Sequence, residues 1–405
     1  ECIREWNSLE EIVINNKKLS QEEREITIAH IGSILGRTFE ETNDAYNAFR
    51  SSTFPDRFFH IIYWLGYLAK REVYHNEKRS INFSTILREE IGHHIYGEIW
   101  ANNIKKTLDE QQLLNRPIHI ISANMHSVMN SIYAPMILNE NLNDESRMEL
   151  FLKLSASENE VMRKEVQKFA AKNGLIFIKE PSGTQIDVQL IDTAKIDFSK
   201  TKYNFNTPNV EKEKPVLIVM DYAFGEQAFE TMDELLKPYY AKDKITQHLN
   251  VESISIMGKA GILEGQKGDI MIPTAHIFEG TADNYPFKNQ LKKKHFLGHG
   301  LEVFEGPMVS VLGTSLQNKD ILKFFHNSTW NVIGIEMEGA HYQKAIQSAS
   351  KIRGNVSAKV KVRYAYYASD NPLETGSTLA SGGLGTAGVK PTYIITEKIL
   401  EQIFE

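Results

Sequence analysis

The chain has 405 residues, 41% of them hydrophobic, with 46 Lys and Arg against 52 Asp and Glu and a net charge of −6. That length allows two or three domains with sizeable cores, and the mixed, slightly acidic charge excludes a bulk electrostatic case for nucleic-acid binding. A single cysteine, Cys2, excludes a disulfide framework and a multi-cysteine zinc site, and no run of about 18 apolar residues offers a membrane span.

No secretory signal is read at the start, and a cytoplasmic protein is expected. Residues 1–115 read as helical. The stretch SQEEREITIAHIGSILG (20–36) opens on Ser20, carries acids in its first turn and spaces apolar residues by three and four, which predicts a helix. TFPDRFFHIIYWLGYLAKREVYH predicts a second helix with Pro55 near its start, and SINFSTILREEIGHHIYGEIWANNIKKTL contains a third. In that third helix Glu90, His93, His94 and Glu98 fall three and four apart, like half of a carboxylate–histidine metal site in a bundle. No second Glu-x-x-His helix accompanies it, so a polar helix face is expected, with no metal and no other cofactor. IHIISA (118–123) predicts a strand, 144–173 a helix ending at Gly174, and LIFIKEP and IDVQLIDTA two more strands. The polar, aperiodic segment 196–214 reads as a linker. It divides a mainly helical α+β region, residues 1–195, expected to serve assembly or regulation, from a second domain, residues 215–405.

In the second domain PVLIVMD (215–221) is a short, nearly continuous apolar strand. A helix at about 226–240 follows, then strands at 252–257, 269–273, 307–312, 331–336 and 360–368. One helix starts at 339 and a last one covers 391–404, after the Gly-rich loop 376–388. Apolar strands alternating with helices predict an α/β domain whose sheet is covered on both faces. Ligands of such sheets bind beyond the carboxyl ends of the strands, and four polar features sit there. They are Glu336-Met337-Glu338, Ser369-Asp370, the turn-like Gly258-Lys259-Ala260-Gly261 leading to Gly268-Asp269-Ile270, and Glu226 at a helix start. Singly, each has a plain structural reading: an acid after a strand caps a helix, and an Asp before Asn-Pro makes a turn. Glu336 is the weaker candidate of the three, because strand alternation points it away from its neighbour.

In this order the segments resemble the nucleoside phosphorylase and nucleosidase superfamily, which shows G-[ST]-[AC]-G, GD-[IV], MEG or MES, and SD in the same succession. SDNPL is similar to the corresponding segment of AMP nucleosidases. The resemblance covers roughly 215–405. It implies a phosphorylase/nucleosidase-like three-layer domain around a central mixed sheet and a purine nucleotide or nucleoside as ligand. It further implies a homo-oligomer, while the charge balance and the lack of a long apolar run lead to no expected nucleic-acid or membrane partner. Under it, Asp370 is the general acid that protonates the leaving base, partly buried so that its pKa rises. Glu338 accepts the 2′ and 3′ hydroxyls and places negative charge near the cationic sugar, and Met337 packs on the ribose. Glu226 takes the place of the nucleosidase glutamate after the first strand and orients water, with Asp221 as fallback. Lys259 stands where the family has Ser or Thr and could hold a phosphate. Gly258, Ser369, His276 and the segment Gly313, Thr314 and Ser315 would complete the substrate pocket, with Tyr222, Phe224 and Phe278 as aromatic walls. The expected reaction is hydrolysis of an N-glycosidic bond, AMP nucleosidase-like, with phosphorolysis and a non-catalytic nucleotide sensor as alternatives.

Overall fold

The computed structural model describes residues 2–77, 94–138, 144–200, 207–240, 246–279, 281, 283–313, 318–374 and 385–405. The chain forms two units, residues 1–88 and 89–405. Glu90 and His93 of the carboxylate–histidine motif, the His94 side chain and most of the Gly-rich loop lie outside the described residues.

The first unit is helical, as predicted. Helices α1 (Cys2–Val13), α2 (Gln21–Leu35), α3 (Phe39–Phe49) and α4 (Arg57–His75) enclose Leu9, Ile31, Phe58, Phe59 and Tyr63. Ser20 with Glu23 and Thr38 with Glu41 form capping boxes that satisfy the first amides of α2 and α3.

The second unit begins its described part with α5 (His94–Glu110), β1 (Ile118–Ser122), α6 (Met125–Leu138), α7 (Asp144–Ser155) and α8 (Glu160–Lys172). Helix α6 was not legible as a helix: its apolar residues are spread around the axis and it holds Pro135, so it lacks an amphipathic period. The single helix expected over 144–173 is broken at 156–159, where Arg163 folds back to donate to the carbonyls of Leu154 and Ser157. Strands β2 (Leu175–Ile178) and β3 (Val188–Asp192) follow, then α9 (Thr207–Glu213), β4 (Val216–Met220) and α10 (Gln227–Leu236). After a two-residue pair, β5 (Tyr239–Tyr240) and β6 (Thr246–Gln247), come β7 (Val251–Ile262), β8 (Ile270–Phe278), β9 (Asn284–Pro286) and β10 (Val303–Ser310). The chain ends with α11 (Lys319–Asn327), β11 (Gly334–Glu336), α12 (Gly339–Gln347), β12 (Lys361–Asp370) and α13 (Val389–Phe404).

One mixed sheet runs in the order β11-β10-β8-β12-β7-β1-β4-β3-β2. Helices α5, α10 and α12 cover one face through residues such as Trp100, Met232 and Tyr342. Helices α6, α7, α8 and α13 cover the other through Ile132, Phe151, Val166 and Ile395. This is the expected three-layer α/β architecture. Its extent differs from expectation. β1 pairs in parallel with both β4 and β7, at the middle of the sheet, and β3 pairs with β4. The segment 196–214 therefore does not separate two domains; it contains α9 and connects strands of one sheet. Its polar composition marked a surface connection, which is not in itself a domain boundary. A second correction concerns Gly258-Lys259-Ala260-Gly261, which is no turn but the distal part of the 12-residue strand β7. That extension pairs antiparallel with β11, Ile335 opposite Gly261, so β7, β12, β8, β10 and β11 close into a ring.

Candidate active site

β1, β4, β7 and β12 run in parallel, so their carboxyl ends open on one side of the sheet. β11 comes back along the far end of β7 and delivers Glu336-Met337-Glu338 beside Gly258 and Lys259. A cavity of about 390 Å³ lies there. Glu336, Met337 and Glu338 line it with Ser122 from the end of β1, Tyr222 and Phe224 from the β4–α10 connection, and Tyr342 from α12. Gly258 and Lys259 of β7 and Tyr366 and Tyr367 of β12 complete the wall. Aromatic and thioether walls around a few converging charged groups are what a small ring-bearing ligand requires.

Glu338 occupies the N-cap position of α12, but its side chain caps nothing in that helix. Its Oε1 accepts the N–H of Gly225, from the β4–α10 connection, at 3.0 Å. Burial pushes its carboxyl up to about 7, and the neighbouring Glu336 charge adds to the shift. Glu336 does the capping. Its Oε2 accepts the N–H of Glu338 at 2.6 Å and the N–H of Gly339, and its Oε1 accepts the hydroxyl of Ser310. Ser310 Oγ in turn accepts the N–H of Ala340 at 2.9 Å, and His276 Nδ1 lies 3.4 Å from Glu336 Oε1. Burial opposes ionisation of Glu336, but these donors outweigh it and hold the carboxyl below its ordinary range. Gly339 permits this packing by its missing side chain: a Cβ would sit 2.3 Å from His276 Cε1 and 2.8 Å from the Tyr366 hydroxyl.

Asp370 ends β12 opposite Gly261 and is buried. Ser369 donates its hydroxyl to Asp370 Oδ1 at 2.5 Å, while Oδ2 is buried without a hydrogen-bond partner among the described residues. Burial raises the Asp370 pKa, against the pull of Ser369, Lys259 and Lys267.

The cavity thus brings together six of the predicted positions, Tyr222, Phe224, Gly258, Lys259, Met337 and Glu338. Ser369 and Asp370 stand at the end of the strand that supplies Tyr366 and Tyr367. His276 is fully buried and does not line the cavity; it stands behind the wall residues Glu336 and Tyr366. Glu226 is exposed at the N-terminus of α10 and does not line the cavity. The physical reason is the strand count. β1, not β4, is the first strand of this sheet, and Ala123-Asn124-Met125-His126 follows it without a carboxylate. Asp221 is half-buried and accepts its own chain's Tyr222 N–H at 2.8 Å. Gly313 follows β10 without lining the cavity, Thr314 and Ser315 lie outside the described residues, and Phe278 packs edge-on against His341. Sequence reasoning missed Ser122, Tyr342, Tyr366 and Tyr367 as wall residues; the aromatic run in YAYYASD was the available signal.

Lys259 and Tyr367 also border a second, more polar cavity of about 740 Å³, which reaches Asn124, His126, Arg163 and Lys164. Its outer cations are engaged: Lys164 pairs with Glu160 at 2.5 Å and Arg163 holds backbone carbonyls. The smaller cavity carries the buried Glu336 and the half-buried Glu338 and is the better-built site. No group of three or more His, Cys, Asp or Glu side chains able to hold a metal ion occurs among the described residues, and none of their helices is long and apolar enough to cross a membrane.

A model of the Family of unknown function (DUF6909) matches residues 147–405. No curated protein matches the sequence. Among solved structures, a futalosine hydrolase mutant of Helicobacter pylori aligns at 13% identity and a TM-score of 0.40, covering 71% of this chain and 98% of its own. An MTAN mutant of Helicobacter pylori with 5′-methylthioadenosine in the active site aligns at 12% identity and 0.42, covering 71% and 99%. Purine nucleoside phosphorylase from Toxoplasma gondii in complex with immucillin-H aligns at 14% and 0.38, covering 72% and 92%.

Proposed function

This chain belongs to the DUF6909 family, and we propose that it is an enzyme that hydrolyses the N-glycosidic bond of a purine nucleotide or nucleoside. One observation carries the reading: the strand-end cavity holds the Glu338 carboxyl, fixed by the Gly225 N–H, and the neighbouring strand ends on the buried Asp370. Burial lifts the pKa of both carboxyls, which is the usual mark of groups tuned for proton transfer or charge complementarity.

Departure of a purine leaves positive charge on the sugar and negative charge on the base. Asp370, whose burial favours the protonated form, gives its proton to the base nitrogen as the electrons of the C–N bond move onto the ring. Glu338, ionised when sugar hydroxyls donate to it, holds the ribose and stabilises the developing cation. Met337 packs against the sugar, and Tyr222 and Phe224 offer faces to the ring system. Water adds to the anomeric carbon and returns a proton to Asp370, giving free base and ribose or ribose 5-phosphate. Lys259, at the border of the polar cavity, suits the 5′-phosphate of a nucleotide such as AMP.

Lys259 together with the carboxylate-free end of β1 also favours a second reading, in which inorganic phosphate is the nucleophile. AMP and adenosine are incubated with the protein in phosphate-free and phosphate buffers and the products separated by chromatography. Free base in phosphate-free buffer supports hydrolysis. Turnover only with phosphate, giving a sugar 1-phosphate, transfers the assignment to phosphorolysis. Calorimetric binding without turnover identifies a sensor.

A further inference from the structure

Glu336 is the charged group most firmly built into this region and has no role in the chemistry above. Its side chain has no solvent exposure, and every neighbour within bonding distance is a donor. Two of these donors, the N–H groups of Glu338 and Gly339, belong to the backbone that carries the hydroxyl-binding carboxylate. The third, Ser310, ties the same carboxylate to the N–H of Ala340 and thus to the first turn of α12. An anion at this helix N-terminus satisfies amides that would otherwise be orphaned. His276, wedged under Gly339 and stacked on Phe287 at 5.3 Å, closes the remaining side.

We propose that Glu336 is the positioning residue of Glu338, holding its backbone through two amide bonds and setting its charge state by standing beside it as a fixed anion. Ser310 and His276 are the supports that keep Glu336 in place. The inference deepens the nucleosidase reading and rests on it for the role of Glu338, though its structural half does not depend on turnover.

The groups that face Glu338 and Glu336 come from each packed element. Lys259 comes from β7 and His276 from β8. Tyr222 comes from the β4–α10 connection, His341 and Tyr342 from α12, and Tyr366 from β12. Tyr342 and Tyr366 are pushed towards neutrality by burial, and among the described residues Glu336 is the charged side chain whose field raises the Glu338 pKa. Glu336→Gln keeps an oxygen for the two amides and removes the charge. The Glu338 carboxyl should then titrate at least ~1 unit lower, because a like charge at close range in a dry site is worth that much or more.

The full-length protein is labelled with ¹³C at the Glu carboxyl carbons, and Glu338 is assigned by comparison with Glu338→Gln. Its titration is followed in wild type, Glu336→Gln and Ser310→Ala. A downward shift in Glu336→Gln, with a parallel downward shift in any pH profile of kcat/KM, supports the proposal. Ser310→Ala, which retains the Glu336 charge, should alter KM with little change in the titration. An unchanged Glu338 titration in a folded Glu336→Gln protein overturns the proposal. If Glu336→Gln does not fold, a Ser310→Ala protein with unchanged KM and an undisturbed α12 amide spectrum overturns it instead. A shifted titration in a protein that turns over no nucleoside or nucleotide leaves the positioning role standing and removes the nucleosidase reading.

Discussion

Glu338 Oε1 accepts the Gly225 N–H at 3.0 Å, and this bond joins the start of α12 to the connection after β4, 113 residues earlier in the chain. Gln at 338 keeps an acceptor for that N–H but cannot provide an anion to two sugar hydroxyls. Glu338→Gln should lower kcat/KM by at least ~100-fold. The same variant should be more stable at high pH. The folded-state pKa of about 7 lies above the ordinary 4.5. The folded state therefore holds a proton that the unfolded chain releases, and stability is lost as pH rises through that window. Removing the titration should leave Glu338→Gln about 3 kcal/mol more stable than wild type at pH 8 and equal to it near pH 4. Denaturant melts at the two pH values measure the difference, and a variant no more stable at pH 8 contradicts the buried-carboxyl description.

In the proposed mechanism Asp370 acts only while protonated. Burial raises its pKa, so kcat should hold on the acid side and fall as pH climbs past that raised value. Asp370→Asn keeps the Ser369 contact and removes the transferable proton. A loss of about 10² to 10⁴ in kcat is expected, together with disappearance of the basic limb of the pH profile. Stopped assays across the pH range decide the point: an Asp370→Asn enzyme with near-normal rates removes Asp370 from the chemistry.

Much of the second half was legible because its strands are short apolar runs and its polar residues cluster at their ends. Met337, Glu338 and Asp370 stood out in this way, since carboxylates beyond buried strands have no packing reason to be there. What was not legible depended on pairing over long sequence distances. Nothing in IHIIS reveals that β1 sits between β4 and β7, and a polar connection such as 196–214 looks the same whether it joins domains or strands. Glu336 was misjudged because strand alternation stops where β11 ends; its direction is set by the amides of the following helix. The strand order makes a prediction for truncation. A fragment 89–405 should express soluble and melt cooperatively, because it retains the whole sheet. A fragment starting at 215 loses β1, β2 and β3, exposes the fully buried edges of β4 and β7 and should aggregate. Cooperative melting of the shorter fragment contradicts the central position of β1.

Lys259 separates the two cavities, and its charge acts on both sides. Towards the polar cavity it suits a phosphate; towards β12 it pulls the Asp370 pKa down. Lys259→Met keeps most of the aliphatic stem and removes the ammonium. If the phosphate belongs to the substrate, KM for AMP should rise at least ~10-fold, the worth of one charge-assisted contact, while KM for adenosine changes little. Loss of the cation also leaves the Asp370 carboxyl easier to protonate, so the basic limb of kcat should move to higher pH for both substrates. Steady-state kinetics with the two substrates at several pH values separate these effects. Equal changes in KM for AMP and adenosine, with a stationary basic limb, would show that Lys259 neither reads the 5′-phosphate nor tunes Asp370.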